Sequence, residues 1–211
     1  MLDLQQFLLF ALASLMLNIT PGNDMVFVAT HATSHGIRAG MMAALGIALG
    51  CVVHIIAAVL GISAIIAQSA FLFDVIKYLG AAYLIYIGIK SILSKTPTFD
   101  WASNKKEVSD KAILKQGIFT NVLNPKVALF FLAFLPQFIN TRHESIGVQI
   151  LLLGLWFNIS GTIVNFGVAW AFSKAGNFLK QYPAFTYWQN KITGGVLILL
   201  GLKVAFLSKG Q

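Results

Sequence analysis

The sequence has few charged residues, and this shortage excludes a water-soluble domain. Only 10% of its 211 residues are charged, whereas 57% are hydrophobic. A soluble domain carries about 25% charged residues, which form its polar surface. The mean hydropathy of +0.78 points the same way. The composition therefore predicts a membrane protein that contacts the lipid bilayer.

The chain also lacks the residues of several kinds of reaction chemistry. Its single cysteine, Cys51, cannot form an intrachain disulfide, which excludes thiol–disulfide electron transport within the chain. His31 and His35 lie one helical turn apart, but no third metal ligand is near them. The sequence contains no nucleophile elbow, phosphate-binding loop or metalloprotease motif. We therefore expect no enzyme activity, no cofactor and no metal, with a membrane-embedded enzyme as the least favoured alternative.

Six apolar segments are each long enough to cross a membrane as a helix of about 20 residues. They cover residues 4–29, 41–67, 71–93, 113–139, 146–173 and 191–208. The polar stretch 94–115 divides a first repeat (1–93) from a second (116–211). Because three spans is an odd number, a duplicated half would be inverted in the membrane. We predict an all-α fold: a single transporter domain over 1–211 with six transmembrane helices in two inverted three-helix repeats.

The net charge of +8 indicates how the chain is oriented. With six spans, ten lysines and arginines fall on one side and four on the other, while Lys126 belongs to neither. Basic residues are retained on the cytoplasmic side. The count predicts a cytoplasmic middle loop and both termini outside. Since orientation explains the positive charge, we expect no nucleic acid partner.

The stretch NITPGND, residues 18–24, interrupts the first apolar segment, which would otherwise form about 39 Å of helix. Thr20 is a suitable N-cap and Pro21 a suitable first helical residue. Asn124 and Pro125 repeat this pattern in the fourth segment, so we expect helices 1 and 4 to be broken at these proline motifs. Breaks in matching positions of two repeats are typical of a transporter's binding site.

Two opposite charges follow these breaks. Asp24 falls in a first helical turn, where the helix dipole favours an anion, whereas Lys126 falls where the dipole disfavours a cation. A charge at the membrane centre costs about 3 kcal/mol. We predict that Asp24 and Lys126 bind the ammonium and carboxylate of a small zwitterion. The other predicted substrate-binding residues are Thr20, Pro21, Gly22, Asn23, Asn124 and Pro125. Alternatively, Lys126 extends to the membrane interface and Asp24 only caps a helix.

Further polar residues lie inside the apolar segments. His54 could carry a proton near neutral pH, so it joins Asp24 as a candidate for proton coupling. Asn121, Asn158 and Asn165 are candidate polar cavity residues. Alternatively, these side chains hold the helices together by hydrogen bonds. The pairs Gly36/Gly40 and Gly46/Gly50 predict close helix packing.

Four stretches resemble the LysE/RhtB family of bacterial amino-acid exporters: TPGND, HGIRAGMMAALGIALG, YLGAAYLIYIG and NVLNPKVALFFLAFLPQF. The resemblance runs nearly end to end, although many family members have a second proline where this chain has Asn23. It implies a secondary efflux protein of the bacterial inner membrane, driven by proton or ion exchange. The implied substrates are homoserine, threonine, neutral amino acids or close derivatives. A cation or another small metabolite is the alternative substrate, and a homo-oligomer is an open expectation.

Overall fold

The computed structural model describes residues 4–68, 70–93, 108–140, 146–179 and 183–206. These residues are almost entirely helical and contain no strand, which confirms the all-α class. The α-helices are α1 (Leu4–Ile19), α2 (Asn23–Gln68), α3 (Ala70–Leu93), α4 (Asp110–Val122), α5 (Pro125–Leu129), α6 (Ile146–Leu179) and α7 (Pro183–Phe206). A π-helical turn, Phe130–Phe134, and a 3-10 turn, Leu135–Phe138, continue α5.

Two of these helices are long and apolar enough to cross a membrane within the described residues. They contain the stretches Asn23–Gly61 in α2 and Ile146–Lys174 in α6. A third span arises if the pair Asp110–Val122 and Pro125–Phe138, bent by 44°, is counted as one. Six spans in two inverted repeats therefore stay a prediction.

The boundary between the first two predicted segments differs from the expected loop. Helix α2 continues through it, and only Gly36 leaves the helical conformation, with φ 84° and ψ −179°. Glycine adopts a positive φ without the steric cost that other residues meet. One glycine therefore turns the chain where the sequence predicts a connection between residues 29 and 41.

Helix α4 begins at Asp110, inside the predicted linker 94–115, and the predicted repeats stay a prediction. The side chain of Ser109 accepts a hydrogen bond from the backbone N–H of Ala112, so that Ser109 caps α4, and Asp110 lies in the first turn. Both features stabilise a helix N-terminus. Residues 110–115 of the predicted linker are consequently helical, and residues 94–107 lie outside the described part of the chain.

The helices pack in two ways, through an aromatic cluster and through glycines. Helix α2 packs on α4 and α6, and α3 packs on α7. Phe130, in the π-helical turn, stacks on Phe157 of α6 with ring centroids 4.5 Å apart, and the ring centroid of Phe10 in α1 lies 5.7 Å from that of Phe130. Aromatic pairs at these distances stabilise a core beyond the area they bury. The cluster thereby fixes the helices that follow and precede the two breaks.

Small residues bring α2 close to its neighbours. A Cβ on Gly46 would meet the backbone of Leu114 and Gly117 in α4, and one on Gly50 would lie 2.7 Å from the Ile118 carbonyl. Gly40 packs against alanines in the same way. The predicted packing role is confirmed for these three glycines. It is wrong for Gly36, because a Cβ there would meet nothing within 4 Å, and this glycine serves the turn instead.

We expect Gly46→Ala to destabilise the protein, because its Cβ would contact backbone atoms that no rotamer change can move. The expected loss is about 1–3 kcal/mol of unfolding free energy, typical of overpacking. Gly167→Ala is the matched control, since open space surrounds that position. Thermal unfolding in detergent measures both, and equal midpoints for the two variants would contradict the close α2–α4 contact.

Candidate functional site

The two helix breaks lie in contact with each other. Helix α1 ends at Ile19 and α2 begins at Asn23, while Leu123 and Asn124 separate α4 from α5. Lys126, 109 residues after Leu17, donates hydrogen bonds from Nζ to the carbonyls of Leu17 and Thr20, each 2.8 Å long. One lysine at the second break therefore binds the helix end at the first.

The local chemistry of the two breaks differs. Asn124 caps α5, with Oδ1 accepting a 3.0 Å hydrogen bond from the backbone N–H of Lys126, and Pro125 is the first helical residue, as predicted. Thr20 does not cap α2. Its hydroxyl donates to the Met16 carbonyl of α1, 2.7 Å away. The prediction of Pro21 as the first helical residue is also wrong, because α2 begins only at Asn23.

The position of Lys126 has a structural explanation that the sequence does not reveal. The carbonyls at the C-terminus of α1 carry the negative end of that helix dipole, which attracts a cation. They also supply hydrogen bonds to a lysine that is only partly exposed. Contacts with α1 thus offset the unfavourable dipole of α5, and Lys126 stabilises the fold whatever else it binds.

Asp24 lies in the first turn of α2, as predicted, and is only partly satisfied by the protein. Its Oδ2 accepts a 2.8 Å hydrogen bond from the Asn121 side chain. The Asn124 side chain also interacts with this carboxylate, but the buried Oδ1 makes no hydrogen bond of good geometry with any described residue. Lys126 and Asp24 form no ion pair within 4.0 Å, although each lies in the electrostatic field of the other. One carboxylate oxygen is therefore left for another partner.

A cavity of about 40 Å³ lies where the breaks meet α2 and α6. Seven of the predicted residues line it: Thr20, Gly22, Asp24, Asn124, Lys126, Asn158 and Asn165. The structure therefore brings both predicted charges to one cavity. Pro21, Asn23 and Pro125 shape the breaks but do not line its wall, and Asn23 and Pro125 are exposed.

His54 and Asn121 lie behind the cavity wall. The ring of His54 donates from Nε2 to the backbone carbonyl of Asn121, 3.0 Å away, and faces the ring of Phe131. Asn121 in turn donates from its side chain to Asp24. His54 is consequently connected to Asp24 through Asn121, and its role in proton coupling stays a prediction.

Two polar residues of the cavity are absent from the sequence-based prediction. Asn18, within the NITPGND stretch, donates from Nδ2 to the Phe157 carbonyl and to Ser160 Oγ, which joins α1 to α6. Thr162 lies four residues after Asn158, on the same face of α6. Its spacing from Asn158 could therefore have identified Thr162 as a cavity residue from the sequence. The apolar lining residues, such as Met25 and Ile47, have no feature that distinguishes them from other apolar residues.

The structure does not change the expectation that His31 and His35 bind no metal. His31 and His35 have ring centroids 6.0 Å apart. Within the described residues, no group of three His, Cys, Asp or Glu side chains could hold a metal ion. The expected lack of a metal or cofactor stays a prediction.

Residues 15–208 match the family model described as LysE type translocator. The chain belongs to the LysE type translocator family. This confirms the resemblance seen in the sequence, and no solved structure gives a significant match. Among its relatives, the membrane protein YrhP of Bacillus subtilis is 35% identical, with 89% of this chain and 92% of the relative covered.

Two further relatives have names that state a substrate. The leucine efflux protein of Klebsiella pneumoniae is 28% identical, with 83% of this chain and 81% of the relative covered. The homoserine/homoserine lactone efflux protein of Salmonella typhimurium is also 28% identical, with 93% and 94% covered. Both are named as efflux proteins, but their substrates differ.

We expect Lys126→Met to destabilise the protein even without substrate, because the Leu17 and Thr20 carbonyls lose their charged donor. Hydrogen bonds to a charged group contribute about 2 kcal/mol. Lys115→Met is the control, since Lys115 is an exposed lysine of α4. Thermal unfolding in detergent compares the two. A midpoint for Lys126→Met as high as that of the control would contradict the structural role.

Proposed function

We propose that this protein is a secondary exporter of amino acids or their close derivatives. The observation that carries the proposal is the cavity in which the Asp24 carboxylate has a partnerless oxygen while Lys126 is not paired with it. A zwitterionic amino acid brings one ammonium and one carboxylate, so it complements both groups at once. The family and the two relatives named as efflux proteins support export as the direction.

Each end of the substrate has a defined partner in this proposal. The substrate ammonium binds Oδ1 of Asp24, which is fixed by the hydrogen bond from Asn121 to Oδ2. The substrate carboxylate binds Lys126. An ammonium group has three N–H donors, and Lys126 uses two of them on the carbonyls of α1. The third is available for the substrate.

Transport requires the two breaks to separate. The cavity of about 40 Å³ is far smaller than the roughly 300–1,000 Å³ of typical small-molecule sites. A Cβ on Gly22 would lie 3.4 Å from the Lys126 side chain, so the breaks are already close. We propose that the two halves move against each other as inverted repeats around this site. Substrate then enters from one side and leaves on the other.

Proton coupling follows from the same carboxylate. When the substrate ammonium leaves Asp24, the carboxylate loses its counter-charge inside a largely apolar protein. A proton can then replace the ammonium, so that substrate leaves outward as a proton enters. His54 is the other candidate carrier, connected to Asp24 through Asn121.

We expect Asp24→Asn and Lys126→Gln each to reduce efflux from preloaded proteoliposomes by at least about tenfold, because each removes a charged partner of the substrate. Efflux should not be restored in the double variant. Asp110→Asn is the control for Asp24, since Asp110 pairs with Arg38 outside the cavity. Lys115→Gln is the control for Lys126.

Normal efflux by a correctly inserted double variant would contradict the substrate role, because it would mean that the two charges only neutralise each other. The same assay at several pH values identifies the proton carrier. We expect the pH dependence of efflux to flatten in an Asp24→Asn variant that retains measurable flux. If it flattens only in His54→Gln, His54 carries the proton instead.

We also propose that the protein lies in the bacterial inner membrane with the region 94–115 on the cytoplasmic side. The ten-to-four distribution of basic residues motivates this orientation. Asn104→Cys in a Cys51→Ala background should therefore resist an impermeant thiol reagent in intact cells and react in lysed cells. Labelling in intact cells would reverse the topology. Because Cys51 lines the cavity, the efflux of the background variant is measured first.

A further inference from the structure

The cavity has a polar wall that is separate from its two charges. Asn158, Thr162 and Asn165 line it from one face of α6, where residues four and seven positions apart project to the same side. The apolar residues Met25 and Ile47 line other parts of it. A substrate held by Asp24 and Lys126 at its backbone groups therefore meets polar side chains on α6.

Hydrogen bonds within this wall use up only some of its groups. The Thr162 hydroxyl donates to the Asn158 carbonyl at 2.7 Å, and the Asn158 Nδ2 donates to the Ala48 carbonyl at 3.2 Å. Their side-chain oxygens are left as acceptors. The protein thus fixes the geometry of both side chains through the donors that they use.

Asn165 differs from its neighbours on α6. The residue is only 8% exposed, yet its side chain makes no hydrogen bond to any other described residue. Its amide atoms are not among the fully buried unsatisfied atoms of the described residues, so they keep contact with the cavity, where water or a ligand supplies their partners. Both the donor and the acceptor of Asn165 are available inside the cavity that it lines.

We propose that Asn165, with Thr162, forms a side-chain subsite that selects amino acids with a hydroxyl group over aliphatic ones of the same shape. This inference rests on the proposed function. A hydroxyl accepts a hydrogen bond from Nδ2 of Asn165 and donates one to an oxygen of Asn165 or Thr162. An aliphatic side chain does neither, and it also excludes the water that would otherwise hydrate the amide. A site with buried polar groups rejects such an analogue strongly.

The test compares L-homoserine with L-norvaline, whose side chains have the same shape and differ only in a terminal hydroxyl or methyl. The full-length protein is reconstituted in proteoliposomes, and the counterflow rate of each amino acid is measured. We expect the wild type to prefer L-homoserine by about tenfold or more, since one unsatisfied buried group costs about this factor.

Substitutions at Asn165 connect this preference to the residue. Leucine is nearly the same size as asparagine. In Asn165→Leu, we expect L-norvaline still to be transported and the two rates to differ by no more than about twofold. Asn165→Ser retains a hydrogen-bonding group and should restore part of the preference. Thr33→Val is the control. The Thr33 hydroxyl donates to the carbonyls of Ala29 and, at 3.4 Å, Phe172, both outside the cavity, so the ratio should not change.

Three results would overturn the inference. Equal wild-type rates for the two amino acids would do so while leaving the proposed export function intact. An unchanged preference for L-homoserine in Asn165→Leu would show that another residue binds the hydroxyl group. Transport of neither these nor any other amino acid by the inserted wild type would overturn the proposed function as well. If Asn165→Leu fails to insert into the membrane, the wild-type rate ratio and the Asn165→Ser variant still test the inference.

Discussion

The ammonium of Lys126, held between the carbonyls of Leu17 and Thr20, is the contact on which the site depends. A helix that ends inside an apolar environment leaves backbone carbonyls unsatisfied, and lipid offers them no donor. A cation from the second break supplies that donor to the first. Because Lys126 of the second break satisfies carbonyls at the first, the two irregular stretches stay in contact, and a cavity forms where they meet.

The separation of Asp24 from Lys126 matters as much as their proximity. In a direct ion pair, each charge would already have its partner, and a zwitterion would have to break that pair before binding. Instead, Lys126 is bound by backbone carbonyls, and Asp24 interacts with the side-chain amides of Asn121 and Asn124. Neutral dipoles hold both charges in place without cancelling them. This arrangement suits the zwitterionic substrate that we propose, because both charges stay available to a molecule that carries both opposite charges.

The features that depend on local chemistry could be predicted from the sequence. Both breaks and the Asn124 cap follow from rules on proline and capping residues, which involve only a few neighbouring positions. The turn at Gly36 could not be distinguished from a loop, because polar residues such as those around it occur in both. The partners of Lys126 could not be predicted, since backbone carbonyls have no sequence signature and the contact joins positions 109 residues apart. Apolar cavity residues such as Met25 look like core residues in the sequence, so they too escape prediction.

The polar groups of the site are of two kinds: those that have hydrogen-bond partners within the protein and those that do not. Asn18 and Asn158 donate to backbone carbonyls across helices, so they hold α1, α2 and α6 in place. Among the described residues, Asp24 Oδ1 and Asn121 Oδ1 are buried without a hydrogen bond, and the Asn165 side chain makes none in the cavity that it lines. A ligand shifts a conformational equilibrium only by the difference in its affinity for the two states. In the transport cycle that we propose, groups left unsatisfied without substrate are therefore where a substrate gains most from closure, so that its recognition is coupled to movement of the helices.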